Sequence, residues 1–515
     1  YELYQQVVPD ITLDEINELA DKWIRDESRV IMVNSPEKEG LEIPTEEDLL
    51  AVFEKVEASD IMAYSDEVSD KPLVENPPQG SEIVTEEYIE EIDTYHWTLA
   101  NGVEVVLKPT DFKNDEVRFN AFSPGGTSLV SDNDYMAATT ATALMNEGGI
   151  ADLNKIKLDK MLAGKVVNVS PWMSSEEEGI SGSASPEDME TMFQLIYLFF
   201  TNPRTDSTAF QSYKNRLTTV YENRSSNPEA VFSDTISWTM TQHHPRMKPW
   251  SLERLEEMDL DKSIEIYNDR FADAGDFTFV LVGNLNPDEI RPMIETWLGG
   301  LPSTGRTESW RNLEIDPPGG LVEKQVRKGL EPKSYVRILF PGDFEWSRQN
   351  RYDLMSTASC LRIKLREVLR EDMGGTYGVG VWASTSKYPE EEYQFGITFG
   401  CNPERVEELT ETVFMQLDSL QQHGIEDSYV QKVAEMQRRE REKDLKENRF
   451  WLSSLRQAYR HDIDPRRILH LEELVSELDA GDIQETAREY LDMSNYAVFV
   501  LYPEKDMQVQ EEQQQ

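Results

Sequence analysis

Apolar and polar positions fall into one order three times along the chain. Leu13 to Val33, LDEINELADKWIRDESRVIMV, has apolar residues at three- and four-residue steps, then a charged turn, then an apolar strand-like stretch. Leu260 to Asn284 and Ala480 to Glu504 repeat that order. Each copy has an aspartate near its helix start, where a carboxylate can cap free N–H groups, and each ends in β-branched or aromatic residues. The second and third copies lie about 220 residues apart, a domain's length, so they read as domain endings. The first copy then ends a domain whose body lies outside this sequence, and the chain is the tail of a larger protein. An ordinary helix–strand unit opening a domain fits the same pattern.

Two bodies lie between these endings. Residues 37–91 are acidic and carry Pro44, Pro72, Pro77 and Pro78, the composition of a connector. One short helix is predicted in it, TEEDLLAVFEKVEAS, with Thr45 as cap and Leu49, Leu50, Phe53 and Val56 as its apolar side. The first body, 92–303, opens with two strand-like runs joined at Asn101-Gly102, a strong hairpin signal. It continues with strand EVRFNAFSPGG, helix YMAATTATALMNEGG, two further strands and the helix after Pro186. A Pro- and Gly-containing linker, 304–333, leads to the second body, 334–505, and a polar tail, 506–515, follows. Both bodies run strand, helix, strands, helices, strand, so the predicted fold is α+β with a tandem duplication.

Composition narrows the partners. With 98 acidic and 51 basic side chains the formal charge is −47, which argues against nucleic acid or anionic lipid. A solvated acidic surface suited to solubility or a salty habitat explains it, and cationic or unfolded peptides stay open as partners. No apolar run is long enough to cross a bilayer, so the chain is expected to be soluble. It begins at Tyr1, with neither Met nor a signal peptide's basic and apolar segments, which suggests a processed or excised chain. Cys360 and Cys401 cannot make a disulfide framework and read as two buried thiols.

The histidines, His96, His243, His244, His423, His461 and His470, form no zinc-protease pattern. His-x-x-Glu-His puts two ligands on one helical face; the nearest stretch, HLEEL, has Leu474 where a second histidine would stand. His243-His244 before Pro245 reads as a loop entry. No nucleophile elbow, Walker loop or dinucleotide fingerprint occurs. What remains is REDMGGTYGVGV, residues 370 to 381. Leu354, Ala358, Leu361, Leu365 and Val368 make one buried helical stripe, and Arg370 lies just past it at the helix end. Gly374-Gly375 breaks the helix. Tyr377, Val379 and Val381 are then predicted to share one strand face, with Gly378 and Gly380 leaving the other bare. A helix-capping arginine, a glycine turn and a strand-start tyrosine would account for all of this without any function.

With the duplicated bodies, the linker and LREVLREDMGGTYGVGV assembled, the chain resembles the insulinase and pitrilysin (M16) family of zinc metallopeptidases. The motif is similar to that family's C-terminal-half segment, a helix-end arginine followed by a tyrosine after glycine. The resemblance covers nearly the whole chain: 1–36 as the end of the second family domain, 37–91 as the linker between halves, and the two bodies as the third and fourth domains. It implies M16-type (LuxS/metallopeptidase-like) α/β sandwich domains. It also implies a clamshell enzyme whose N-terminal half supplies Zn2+, its ligands and a general-base glutamate. On the degenerate helix, Thr139, Thr142 and Ala143 stand about where histidine, glutamate and histidine would, so no metal is expected in this chain. The carried-over catalytic positions are Arg370, holding a substrate carbonyl, and Tyr377, a donor to the oxyanion; substrate binding is assigned to Arg370, Tyr377 and Gly378. The implied activity is hydrolysis of peptides or unfolded polypeptides by the complete two-half enzyme, this chain alone being inactive. The implied partners are the N-terminal half and peptide substrates, and the implied setting is the periplasm or cell envelope. An inactive M16-like subunit serving as peptide-binding or assembly partner is the alternative.

Overall fold

The computed structural model describes residues 2–25, 27–35, 40–61 and 72–504. The chain divides into two units, Tyr1–Glu67 and Val68–Gln515. In the first, helices Leu13–Trp23 and Glu46–Glu57 each start with a reciprocal capping box, Thr12 with Glu15 and Thr45 with Asp48. None of the described residues of this unit is buried. Leu13, Ile16, Trp23 and Ile24 are exposed, as are Leu50, Phe53 and Val56, which the sequence pattern assigns to an apolar side. Val30 to Val33, predicted as a strand, belongs to none, because a strand forms only against a partner's backbone and none is present among the described residues of this unit.

The second unit contains two sheets. The first is built from β1 (Ile83–Ile89), β2 (Thr94–Leu99), β3 (Glu104–Pro109), β4 (Val117–Pro124), β5 (Val167–Met173), β6 (Glu177–Ala184) and β7 (Thr278–Gly283). Their order is β1-β2-β3-β7-β4-β6-β5. β1 falls within the stretch read as connector: its burial pattern is mostly exposed, so it has no strong apolar alternation to announce it. The Asn101-Gly102 hairpin joins β2 to β3 as predicted, with Gly102 at φ +95°. The second sheet holds β8 (Leu321–Arg327), β9 (Ser334–Asp343), β10 (Thr376–Ser386), β11 (Glu392–Cys401) and β12 (Tyr496–Tyr502), ordered β10-β11-β9-β12-β8.

Read from the other end, β8-β12-β9-β11-β10 repeats β3-β7-β4-β6-β5. The senses agree too. β3 with β7 and β8 with β12 are the parallel pairs, and the remaining pairs of both series are antiparallel. The duplication read from the sequence is therefore a duplication of topology.

Each sheet packs its own helices on one face. Phe279 and Leu281 of β7 meet the helices Tyr135–Gly148, Met189–Thr201 and Leu260–Arg270, and Val498 and Val500 of β12 meet Arg348–Arg366, Val406–His423 and Ala480–Tyr490. The opposite faces are covered by exchange. Trp451 and Leu455, on the helix Asn448–Arg460 of the second repeat, pack on Val106, Phe122, Val280 and Val282 of the first sheet. Reciprocally, Phe232, Ile236 and Met240 of the Pro228–Met240 helix pack on Leu339, Ala497, Phe499 and Leu501 of the second sheet. Burial on both faces explains why β7 and β12 read as unbroken apolar runs, TFVLVG and YAVFVLY, instead of alternating.

Polar contacts fix this exchange. Arg456 donates to Asn120 Oδ1 at 2.9 Å and to Glu177 Oε2 at 2.6 Å, and Arg460 donates to the other oxygen of Glu177. Thr110 donates to Asn448 Oδ1 at 2.6 Å, and Asn448 in turn donates to Glu116 at 3.1 Å. Both cysteines are buried and free. No helix among the described residues is long and apolar enough to cross a membrane.

Candidate functional site

The helix Arg348–Arg366 buries Leu354, Ala358, Leu361 and Leu365, then loosens into a π-type turn over Glu367–Asp372. Leu369 stays in the core while Arg370, one residue on, is exposed. The turn out of the helix requires its glycines. Gly374 has φ +57°, and a Cβ at Gly375 would stand 2.5 Å from Leu409 Cδ2. The Gly375 N–H donates to Leu369 O at 2.8 Å, which ties the turn to the helix end.

β10 then begins with a bulge. Its register against β11 jumps from Thr376↔Cys401 to Val379↔Phe399, so Tyr377 and Gly378 together oppose the single residue Gly400. The Thr376 hydroxyl pins the bulge: it lies 2.7 Å from Gly400 O and 2.9 Å from Gly378 O, and accepts from the Gly378 N–H at 3.2 Å. The predicted common face of Tyr377, Val379 and Val381 is thereby broken. Val379 and Val381 pack into the second core, whereas Tyr377 is 97% exposed. A Cβ on Gly378 would meet nothing within 4 Å, so this glycine faces open space. Among the described residues neither Arg370 nor Tyr377 has a side-chain hydrogen bond or ion pair. The turn thus presents a guanidinium fork and a phenol, both donors, to whatever comes against this edge of the sheet.

The helix Tyr135–Gly148 carries Thr139, Thr142 and Ala143, all half-buried. Thr139 spends its hydroxyl on Met136 O, at 3.0 Å. Two threonines and an alanine offer no imidazole, thiolate or carboxylate, so the residues present here do not fit zinc. Among the described residues no group of three His, Cys, Asp or Glu side chains could hold a metal ion.

Below that helix lies a charged network that sequence reasoning passed over. In SSEEEG, Glu177 points outward to Arg456 and Arg460, while Glu178, its neighbour on the strand, points inward and accepts from the Gly126 N–H at 2.6 Å. Burial pushes the Glu178 carboxyl up to about 8. Arg270 lies 3.9 Å away, but its fork is occupied by Asp269 and Glu308. Burial also acts on Asp273, yet hydrogen bonds from Thr304 and from the N–H groups of Arg306 and Gly275 outweigh it and hold that carboxyl down at about 2. The available signal was the period of two: consecutive glutamates in a strand, here Glu177 and Glu178, must point to opposite faces of the sheet.

Comparison with known proteins agrees with this architecture. The family described as the M16 peptidase inactive domain matches residues 258–436, a span that includes Arg370 and Tyr377. A protein named probable zinc protease PqqL from Haemophilus influenzae is 22% identical over 443 residues, covering 84% of this chain and 46% of its own length. A zinc protease PQQL-like protein of Arabidopsis thaliana is 23% identical, covering 89% of this chain and 47% of its own. Over residues 258–436 the chain matches the M16 peptidase family.

Solved structures share the M16 fold. The periplasmic protease PqqL of Escherichia coli superposes with a TM-score of 0.75 at 20% identity, over 89% of this chain and 51% of that one. The first half of the same protease also superposes, with a TM-score of 0.65 at 11% identity, over 84% of this chain and 95% of that one. Both comparisons bear on fold alone. The chain spans about half the length of the curated relatives it matches.

Proposed function

We propose that this chain is the C-terminal half of a clamshell zinc metalloendopeptidase that cleaves peptides or unfolded polypeptides. The observation that carries the reading is Tyr377. A tyrosine 97% exposed, held out by a strand bulge and bordered by the open Gly378, serves no packing purpose in this chain. Arg370 is exposed on the same turn and has no partner among the described residues, so both side chains are available to a substrate. Arg370 holds a backbone carbonyl of the peptide in register with its planar fork. Tyr377 donates its hydroxyl proton to the carbonyl oxygen as negative charge develops there. Gly378 lets the peptide backbone approach closely.

Zinc and its ligands belong on this reading to an N-terminal half, either part of the same polypeptide or a separate subunit. The exposed apolar residues of the Leu13–Trp23 helix and of Val30 to Val33 support it, as the unpartnered end of that half's last domain. The acidic surface suits cationic segments of substrate, and the setting is the periplasm or cell envelope, by kinship with the periplasmic relative.

The test is reconstitution. Mixing this chain with a separately prepared zinc-bearing M16 N-terminal half is expected to restore hydrolysis of a quenched fluorescent peptide. Tyr377→Phe should lower turnover on the order of 100- to 1000-fold with zinc content unchanged. The ligand-free helix at Thr139, Thr142 and Ala143 also suits a second reading, an inactive subunit that only binds peptides or assembles with partners. Binding of unfolded peptide without any restored hydrolysis would favour it, and full activity of Tyr377→Phe would remove that residue's assigned role.

A further inference from the structure

A cavity of about 720 Å³ opens between the start of the Arg348–Arg366 helix, the end of β10 and the helices that follow Asp427. It lies roughly 20 Å along β10 from Tyr377, at strand rise. Its charge inverts that of the molecule. In a chain with 98 acidic and 51 basic residues, Arg348, Arg351, Arg441 and Arg467 converge here, and Asp464 is the acidic residue among those lining it. Asp464 is taken by Arg466, 3.3 Å away, and Arg348 by Glu473, 3.2 Å away. The other three arginines have no ion pair among the described residues. Arg351 lies over the Trp346 ring at 4.2 Å, and Arg441 donates to Ile468 O at 3.0 Å.

These cations are held where cations are disfavoured. Arg348 and Arg351 fill the first turn of a 19-residue helix capped by Ser347, a turn with no acidic residue, so they face the positive end of the helix dipole. Burial pulls Arg351 and Arg441 below the ordinary arginine value; Asp444 and Glu440 offset part of this at Arg441, and the neighbouring charge of Arg348 adds to it at both. A desolvated cation without a counter-charge, as Arg351 is, is costly, and an anion in the cavity would lower that cost. The remaining wall is mixed, with an apolar strip of Trp346, Met355, Ile468 and Leu471 beside the polar Ser384, Thr385, Ser454 and Gln457. The volume is that of a small-molecule site.

We propose that this cavity binds an organic anion, a carboxylate or phosphate head group on an apolar body. The head sits among Arg351, Arg441 and Arg467, whose planar forks match either group, and the body lies over Trp346, Met355 and Leu471. The site is independent of proteolysis and does not require the other half.

Calorimetric titration of the 515-residue chain tests this, with phenyl phosphate and octanoate as probes and inorganic phosphate and acetate as their bare heads. At least one organic anion should bind ten or more times tighter than its head alone, and the one that does identifies the head group. Arg351→Met and Arg467→Ala should each weaken that binding tenfold or more, while Arg362→Ala, exposed and outside the cavity, should leave it unchanged. Arg467 is exposed, so its variant keeps the test open if Arg351→Met does not fold. The proposal is overturned if neither organic anion outbinds its head group, or if both arginine variants bind as the unaltered chain does.

Discussion

Leu455→Ala is a substitution in the second repeat whose cost should appear in the first. Leu455 is 0% exposed, set against Val106, Val280 and Val282, which are themselves 0% exposed, with Phe122 and Trp451 beside them. Truncating a buried leucine costs about 2–5 kcal/mol, the spread reflecting how far the surroundings collapse into the gap. Here the floor of the gap is a sheet whose central strand, β7, is hydrogen-bonded on both sides, to β3 and β4. Such a floor cannot move up to fill it, so the upper range applies, about 3–5 kcal/mol. Amide exchange followed by mass spectrometry reads the effect strand by strand. Protection of Thr278–Gly283 should fall by roughly two powers of ten or more, since about 1.4 kcal/mol is tenfold. Ile236→Ala, the reciprocal change, should loosen β12 in the same way. If Leu455→Ala leaves β7 protection intact and loosens the second sheet instead, the packing of the exchanged helix has been misread.

Two further outcomes follow from charge. The Glu178 carboxyl, raised by burial to about 8, keeps its proton in the folded chain at neutral pH but loses it on unfolding. The folded state therefore binds more protons, and the stabilisation, fully present below the ordinary carboxylate value, is lost as pH rises through about 8. Urea midpoints measured from pH 6 to 9 should fall for the unaltered chain and stay flatter for Glu178→Gln; equal slopes would mean that Glu178 is already ionised. The formal charge of −47 should make the fold depend on salt, because screening relieves self-repulsion. Melting temperature should rise between about 0.01 M and about 1 M sodium chloride, as the Debye length shrinks from about 30 to about 3 Å, and a flat response would refute a stability cost of acidity.

Much of the fold was legible because periodicity reports burial. The helix capped by Thr45, the Asn101-Gly102 hairpin and the two buried cysteines follow from local chemistry, whereas the Leu13–Trp23 helix is capped by Thr12 and not by an aspartate. The repeated order of elements foretold the repeated sheet. What stayed hidden depends on distant partners. TFVLVG declares that both faces of β7 are covered, but not that Trp451 and Leu455 cover one of them. In the same way, Arg351, Arg441 and Arg467 are unremarkable charges until folding brings them to one cavity. At the candidate site, the glycine turn was readable, whereas the bulge that frees Tyr377 was not. Strict alternation would have put that ring with Val379 and Val381, and it takes the Thr376 hydroxyl, bonded across to Gly400, to break the register.

The reciprocal loan of helices bears on the history of the molecule. Two copies from a duplication begin as separable modules, each able to fold, be lost or be joined to something else. Once the Asn448–Arg460 helix covers the first sheet and Pro228–Met240 covers the second, deleting either copy strips an apolar sheet face on the survivor. The exchange acts as a ratchet. It leaves each repeat free to diverge in charge and chemistry, as the cationic cavity and the bulged tyrosine of the second repeat have done, while closing the way back to a single repeat.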